Sequence, residues 1–203
     1  FHKETNVCGT ILLDASASMG YASTPLSKFA YARMLAACLA MLLFRQGDEV
    51  GLTAFHDQME IYIPPRNHPR HLQRILVDLQ NANCQGTTQF IHVLDHASET
   101  MPRKGLILLL TDLLCPLESL LPPLRRLRAH RHEVLLFCLS DPAELDFPFD
   151  RSATFLDMET QGERFLVPAA VRETYLQNRA AHFAAIRAEC LAHEIEFCEI
   201  TTT

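Results

Sequence analysis

The sequence contains no C-x-x-C pair, no H-E-x-x-H, no G-x-S-x-G and no G-x-x-x-x-G-K-[ST]. These absences argue against a paired-thiol redox centre, a zinc-peptidase helix, a serine-hydrolase elbow and ATP hydrolysis by the chain itself. No secretory signal is visible. The most apolar helical stretch, Met34–Phe44, is too short to span a bilayer and is flanked by Arg33 and Arg45. Positive charge is scarce: 18 Lys and Arg against 24 Asp and Glu give a formal charge of -6. Nucleic acid is therefore a poor main partner, because phosphate neutralisation needs clustered cations. One basic cluster exists, Arg125, Arg126, Arg128 and Arg131 with His130 and His132. It reads as a solvated helix face.

What is present describes one α/β domain. The 203 residues suffice for a sizeable core, and 48% hydrophobic with 21% charged residues is ordinary globular composition. Seven cysteines, odd in number and irregularly spaced, lie in part within apolar runs such as Val134–Leu139. They read as small core residues in a reducing, cytoplasmic compartment. The chain starts with Phe rather than Met just before its first apolar run. We therefore expect residues 1–203 to be a single domain, the C-terminal fragment of a longer protein.

Short apolar runs alternate with helical patterns. Strands are expected at Val7–Asp14, Glu49–Phe55, Gly105–Thr111, Glu133–Ser140 and Ile195–Ile200, and an edge strand at Met59–Ile63 running into Pro64-Pro65. Helices are expected over Leu26–Arg45 and His68–Ala82, through Phe90, Leu94, Ala97 and Met101, over Ser119–His130, and through Leu176, Phe183, Ile186 and Cys190. Pro122-Pro123 is tolerable only near a first turn. Asp146–Val167 reads as a loop with a small hairpin turning near Gln161-Gly162. This alternation predicts a mostly parallel sheet with helices on both faces.

Ligands of such sheets bind at the carboxyl ends of the strands. There the sequence places Asp14-x-Ser16-x-Ser18, then Asp112, then Asp141, with Gly86-Thr87-Thr88 preceding a helix. The donors are carboxylates and hydroxyls, which suit magnesium, with manganese or calcium as alternatives. Residues two apart leaving a strand point the same way, so Asp14, Ser16 and Ser18 can converge, with Thr88 and Asp112 arriving from neighbouring loops. The set leaves room for an incoming Glu or Asp carboxylate.

Asp14-x-Ser16-x-Ser18, a Thr in Gly86-Thr87-Thr88 and Thr111-Asp112 resemble the metal-ion-dependent adhesion site of von Willebrand A domains. With Leu13–Gly20, Gln46–Phe55, Leu124–Leu136 and Asp141–Phe149, the chain is similar over nearly its whole length to the bacterial domain-of-unknown-function 58 family. The resemblance implies a Rossmann-like sheet of order 3-2-1-4-5-6 with strand 3 antiparallel at the edge. It implies Asp14, Ser16, Ser18, Thr88 and Asp112 as the metal set. Thr88 is preferred to Thr87 because the family places a Leu, here Leu94, six residues after its threonine. It further implies partnership with a MoxR-type AAA+ ATPase or its client in metal insertion, envelope maintenance or complex assembly.

The expected function is thus a metal-dependent protein-interaction module rather than an enzyme, with no nucleic-acid partner and no membrane insertion by this segment. Four other readings stand beside it. Asp14, Ser16 and Ser18 can be plain helix caps. Asp14 can be the nucleophile of a magnesium-dependent phosphoryl transferase. That chemistry wants a second Asp where Ser16 stands, and a lysine better placed than Lys104. The domain can be a structural scaffold with an empty site. His92, His96 and Glu99, at i, i+4 and i+7, have spacing that can hold zinc. Asp141 opens D-P-A-E, a natural turn, and is expected at the rim.

Overall fold

The computed structural model describes residues 6–100 and 104–202; Met101, expected to end the third helix, lies outside them. A six-stranded sheet has the order β3-β2-β1-β4-β5-β8, formed by β1 (Cys8–Asp14), β2 (Glu49–Phe55), β3 (Met59–Arg66), β4 (Leu106–Thr111), β5 (Glu133–Ser140) and β8 (Glu196–Thr201). All neighbours are parallel except β2 and β3. This is the expected order, with β8 as the sixth strand because β6 (Ala153–Leu156) and β7 (Glu163–Leu166) pair separately as the hairpin.

Alternation along β1 divides the core. Ile11 and Leu13 face one layer, with α1 (Lys28–Gln46) and α2 (Pro69–Asn81). Leu12 faces the other, with α3 (Phe90–Thr100), α4 (Leu117–Ala129) and α6 (Pro168–Ala192). Both faces of the central strands are thus covered, which is why they read as continuous apolar runs. Ala32, Ala36 and Ala40, four residues apart on α1, are fully buried and let the helix lie close to the sheet. Among the described residues α1 alone is long and apolar enough, by length and composition, to cross a membrane. Here Phe29, the three alanines and Leu43 are spent on the domain core.

Three elements depart from expectation, β3 by running on from Ile63 to Arg66. α4 begins at Leu117, so Pro122 and Pro123 fall in its second turn rather than its first. Pro122 is exposed and Pro123 packs into the core, and neither can donate to the carbonyl four residues before it. Pro142–Asp146 forms a one-turn helix, α5, where only a turn was expected. The basic cluster is a helix surface: Arg125 pairs with Glu189, Arg126 with Asp95 and Arg128 with Glu194, tying α4 to its neighbours.

Candidate metal centre

The site begins where β1 and β4 end side by side. Asp14 and Asp112 leave these strands fully or almost fully buried. Asp14 Oδ1 accepts the Ser16 amide at 2.9 Å and Oδ2 accepts the Thr111 hydroxyl at 2.7 Å. Thr111 Oγ1 in turn accepts the Leu113 amide at 3.1 Å. All the donors on Asp14 are neutral, the Ser16 hydroxyl included. Burial, and then the charge of Asp112, push the Asp14 carboxyl up to about 7.

Ser16 and Ser18 follow on a short 3-10 turn, Ala17–Gly20. Ser16 occupies the cap position, yet its side chain makes no capping bond. Its hydroxyl lies 3.1 Å from that of Ser18. Plain capping therefore does not account for these serines. The Asp14 side chain does order the Ser16 amide, so that part of the local-turn reading holds.

The loop carrying Thr88 is fastened to the same place by backbone. Gln85 donates to the Ala15 carbonyl, Ala17 donates to the Gly86 carbonyl, and Ala15 donates to the Phe55 carbonyl. Gly86 has φ +67, and a Cβ there would meet His56 Nδ1 and Asp57 Oδ1 at 3.3 Å, so glycine suits both the conformation and the space. This lacing brings the 84–88 loop against the D-x-S-x-S loop. Thr88 then directs its hydroxyl to Glu159 Oε1 at 3.3 Å.

Three residues at the site were not picked out from sequence. Lys28, in the first turn of α1, is fully buried and donates to Asp112 Oδ2 at 2.8 Å and Glu144 Oε1 at 2.5 Å. It is the lysine the phosphoryl-transfer reading lacked, but it engages Asp112 rather than Asp14. Glu144 belongs to α5 and closes a capping box with Asp141, which also accepts the Ser23 amide and hydroxyl. Asp141 is accordingly a structural rim residue here. Glu159, at the tip of the β6–β7 hairpin, accepts from Thr88 and from the Ser18 hydroxyl. Burial first, and Asp112 as well, raise its pKa. Local pattern signals only Lys28: a cation at a helix start opposes the helix dipole and needs a counter-charge.

The donor set is two carboxylates and three hydroxyls, hard oxygens of the kind magnesium takes. Asp112 shares its charge with Lys28 and accepts the Leu114 amide on Oδ1, but each carboxylate oxygen keeps a second acceptor direction. The residues fit a divalent cation. Among the described residues no three His, Cys, Asp or Glu side chains form a metal cluster of their own. His96 instead packs edge-on against Tyr62. Cys115, near the three carboxylates, is pushed up to about 12, mainly by burial, so it stays a thiol.

Comparison with known proteins places the fold. BatB from Bacteroides thetaiotaomicron superposes with a TM-score of 0.63 at 15% identity, over 98% of this chain and 92% of that one. The SpRpn10 VWA domain superposes with a TM-score of 0.53 at 9% identity, over 98% and 90%. The fold is that of von Willebrand A domains. An uncharacterized protein of Mycobacterium tuberculosis, Rv1480, is 24% identical over 180 residues, 87% of this chain and 56% of its own length. The chain thus spans about half of the curated relatives it matches. The family model for "Protein of unknown function DUF58" matches residues 1–185, and the chain belongs to that family.

Proposed function

We propose that this domain binds one divalent cation, magnesium by preference, through Asp14, Ser16, Ser18, Thr88 and Asp112, and uses it to capture an acidic side chain of a protein partner. The observation that carries the reading is the state of Asp14 and Ser16. Asp14 is a buried carboxylate whose hydrogen bonds all come from neutral donors, and the adjacent Ser16 hydroxyl is not used to cap the turn it begins. A buried charge of this kind is costly unless a cation compensates it. A divalent ion would supply that compensation and draw on the serine oxygens as well. The ion would act as a fixed Lewis-acid anchor for an incoming carboxylate.

Binding is favoured over phosphoryl transfer by access. Asp14 is fully buried with both oxygens engaged, whereas a nucleophile must reach phosphorus in line. The charged neighbour that would steady such a reaction is turned to Asp112 and Glu144. A MoxR-type AAA+ ATPase or its client is the partner proposed, in complex assembly or maturation. The compartment proposed is the cytoplasm, supported by the thiols of Cys138 and Cys190, which are buried in the core as small apolar residues.

The test is Asp14→Ala. The variant is expected to remain folded by circular dichroism and to show no magnesium binding by calorimetry. Wild-type magnesium affinity in that variant would refute the assignment.

A further inference from the structure

The β6–β7 hairpin stands apart from the main sheet, yet its tip closes over the candidate centre. Its first strand is held by aromatic packing: Phe155 stacks on Phe147 at 6.0 Å between centroids and meets Phe149 edge-on at 5.2 Å. Its tip is organised by Asp157, whose carboxylate accepts the Glu159 and Thr160 amides and the Thr160 hydroxyl. That turn presents half-buried Glu159 to Ser18 and Thr88, two of the hydroxyl donors, with Asp112 close enough to oppose its ionisation. Met158 Cε lies 3.5 Å from where a Cβ on Gly20 would stand, so the tip also touches the turn carrying Ser18. A cavity of about 290 Å³ remains between the tip and Ser18, Tyr21, Leu114 and Glu144.

A carboxylate held on two of the hydroxyl donors, with Asp112 near it, stands on the side from which a partner's carboxylate would come. The partner of a metal site of this kind is expected to bring a carboxylate to the hydroxyl side of the ion. Glu159 already offers that group, from a two-stranded arm outside the main sheet. We infer that Glu159 is a resident acidic ligand of the centre, and that the hairpin tip is a self-cap which must leave before a partner's acidic side chain can dock. The inference rests on the metal-site reading above and adds its regulation. The exposed Leu156, Phe165 and Val167 give the hairpin's outer face an apolar handle.

Magnesium titrations by calorimetry on the 203-residue chain separate the two ideas. Glu159→Gln is expected to weaken magnesium binding by about 10-fold or more, the scale of losing a close supporting group. Glu159→Ala should do the same, and added acetate should restore its affinity while leaving the wild type unchanged. Hydrogen exchange gives a readout independent of affinity. Magnesium should slow exchange of amides 157–162 in the wild type but not in Glu159→Gln. If both Glu159 variants bind magnesium as the wild type does while Asp14→Ala binds none, the self-cap is wrong and the metal site stands. If Asp14→Ala keeps its affinity, the metal site itself is wrong.

Discussion

Lys28 sits at the least favourable place on a helix for a cation. The first turn of α1 exposes free amides carrying partial positive charge, and Lys28 adds a full one there without solvent to screen it. Asp112 and Glu144 compensate it, and their charge raises the Lys28 pKa although burial alone would lower it. A raised lysine pKa means that the stabilisation is complete below the unfolded value of 10.5 and is lost only as pH climbs through the folded one. At neutral pH the triad is therefore fully formed. Lys28→Met strands two carboxylates against the core, and breaking a buried pair in this way costs about 3–5 kcal/mol. Urea unfolding at neutral pH should show that loss, with a smaller one for Glu144→Gln, because Glu144 is 15% exposed and can recover water. A loss under about 1 kcal/mol for Lys28→Met would mean the triad contributes little. Neither partner could be found along the chain, since they lie 84 and 116 residues away. Asp14, Ser16, Ser18 and Asp112 could be chosen as candidates from sequence because they lie at or shortly after the carboxyl ends of β1 and β4, where residue spacing sets direction. Glu159 could not, because a turn residue's reach depends on how the whole hairpin is hung.

At the scale of elements, patterns of burial were easier to read than their ends. β1, β2, β4 and β5 are buried on both faces, and their apolar runs stop at the polar residues that leave the sheet. β3 was expected to stop at Ile63 but continues to Arg66 through Pro64-Pro65. It can do so because it is an edge strand whose pairing with β2 shifts register between Val50 and Leu52. Gly51 sits at that shift, and a Cβ on it would meet the Ile63 carbonyl oxygen at 2.8 Å and the Pro65 ring nitrogen at 2.9 Å. Those are backbone atoms and cannot turn aside. A Cβ on Gly9 would come still closer, 2.6 Å, but to the Cδ1 end of Leu43, which can rotate. Gly51→Ala should thus cost about 1–3 kcal/mol, as overpacking does, and Gly9→Ala clearly less. Equal losses in parallel urea titrations would show that β3 yields as readily as a leucine rotamer. α5 escaped the sequence reading for a related reason. Five residues give no periodicity, and its capping box of Asp141 and Glu144 shows in sequence only as D-P-A-E.

For the molecule as a whole, the proposed metal site would couple ion, proton and fold. The Asp14 carboxyl rises from 3.8 to about 7 in the folded chain, so the fold holds a proton there that the unfolded chain has already released. Stability from this group is complete below pH 3.8 and is lost as pH rises through about 7. In a chelating buffer the melting temperature should carry that decline, and Asp14→Asn should remove it. Magnesium bound as proposed should reverse the sign, because it would take the ionised carboxylate and compete with the proton. At about 100 times its dissociation constant, an ion that binds only the native state adds about 2.7 kcal/mol. For a domain of this size that is a rise of roughly 5–10 °C. The rise should grow from pH 5 to pH 8 in the wild type and lose that growth with pH in Asp14→Ala. With a net charge of -6 the surface will also gather magnesium loosely, and that contribution survives in the variant, which makes the variant the proper baseline. A wild-type melting temperature that magnesium leaves unchanged at every pH would leave the scaffold reading in possession, with two buried carboxylates held by a lysine, the Thr111 and Ser16 hydroxyls and backbone amides.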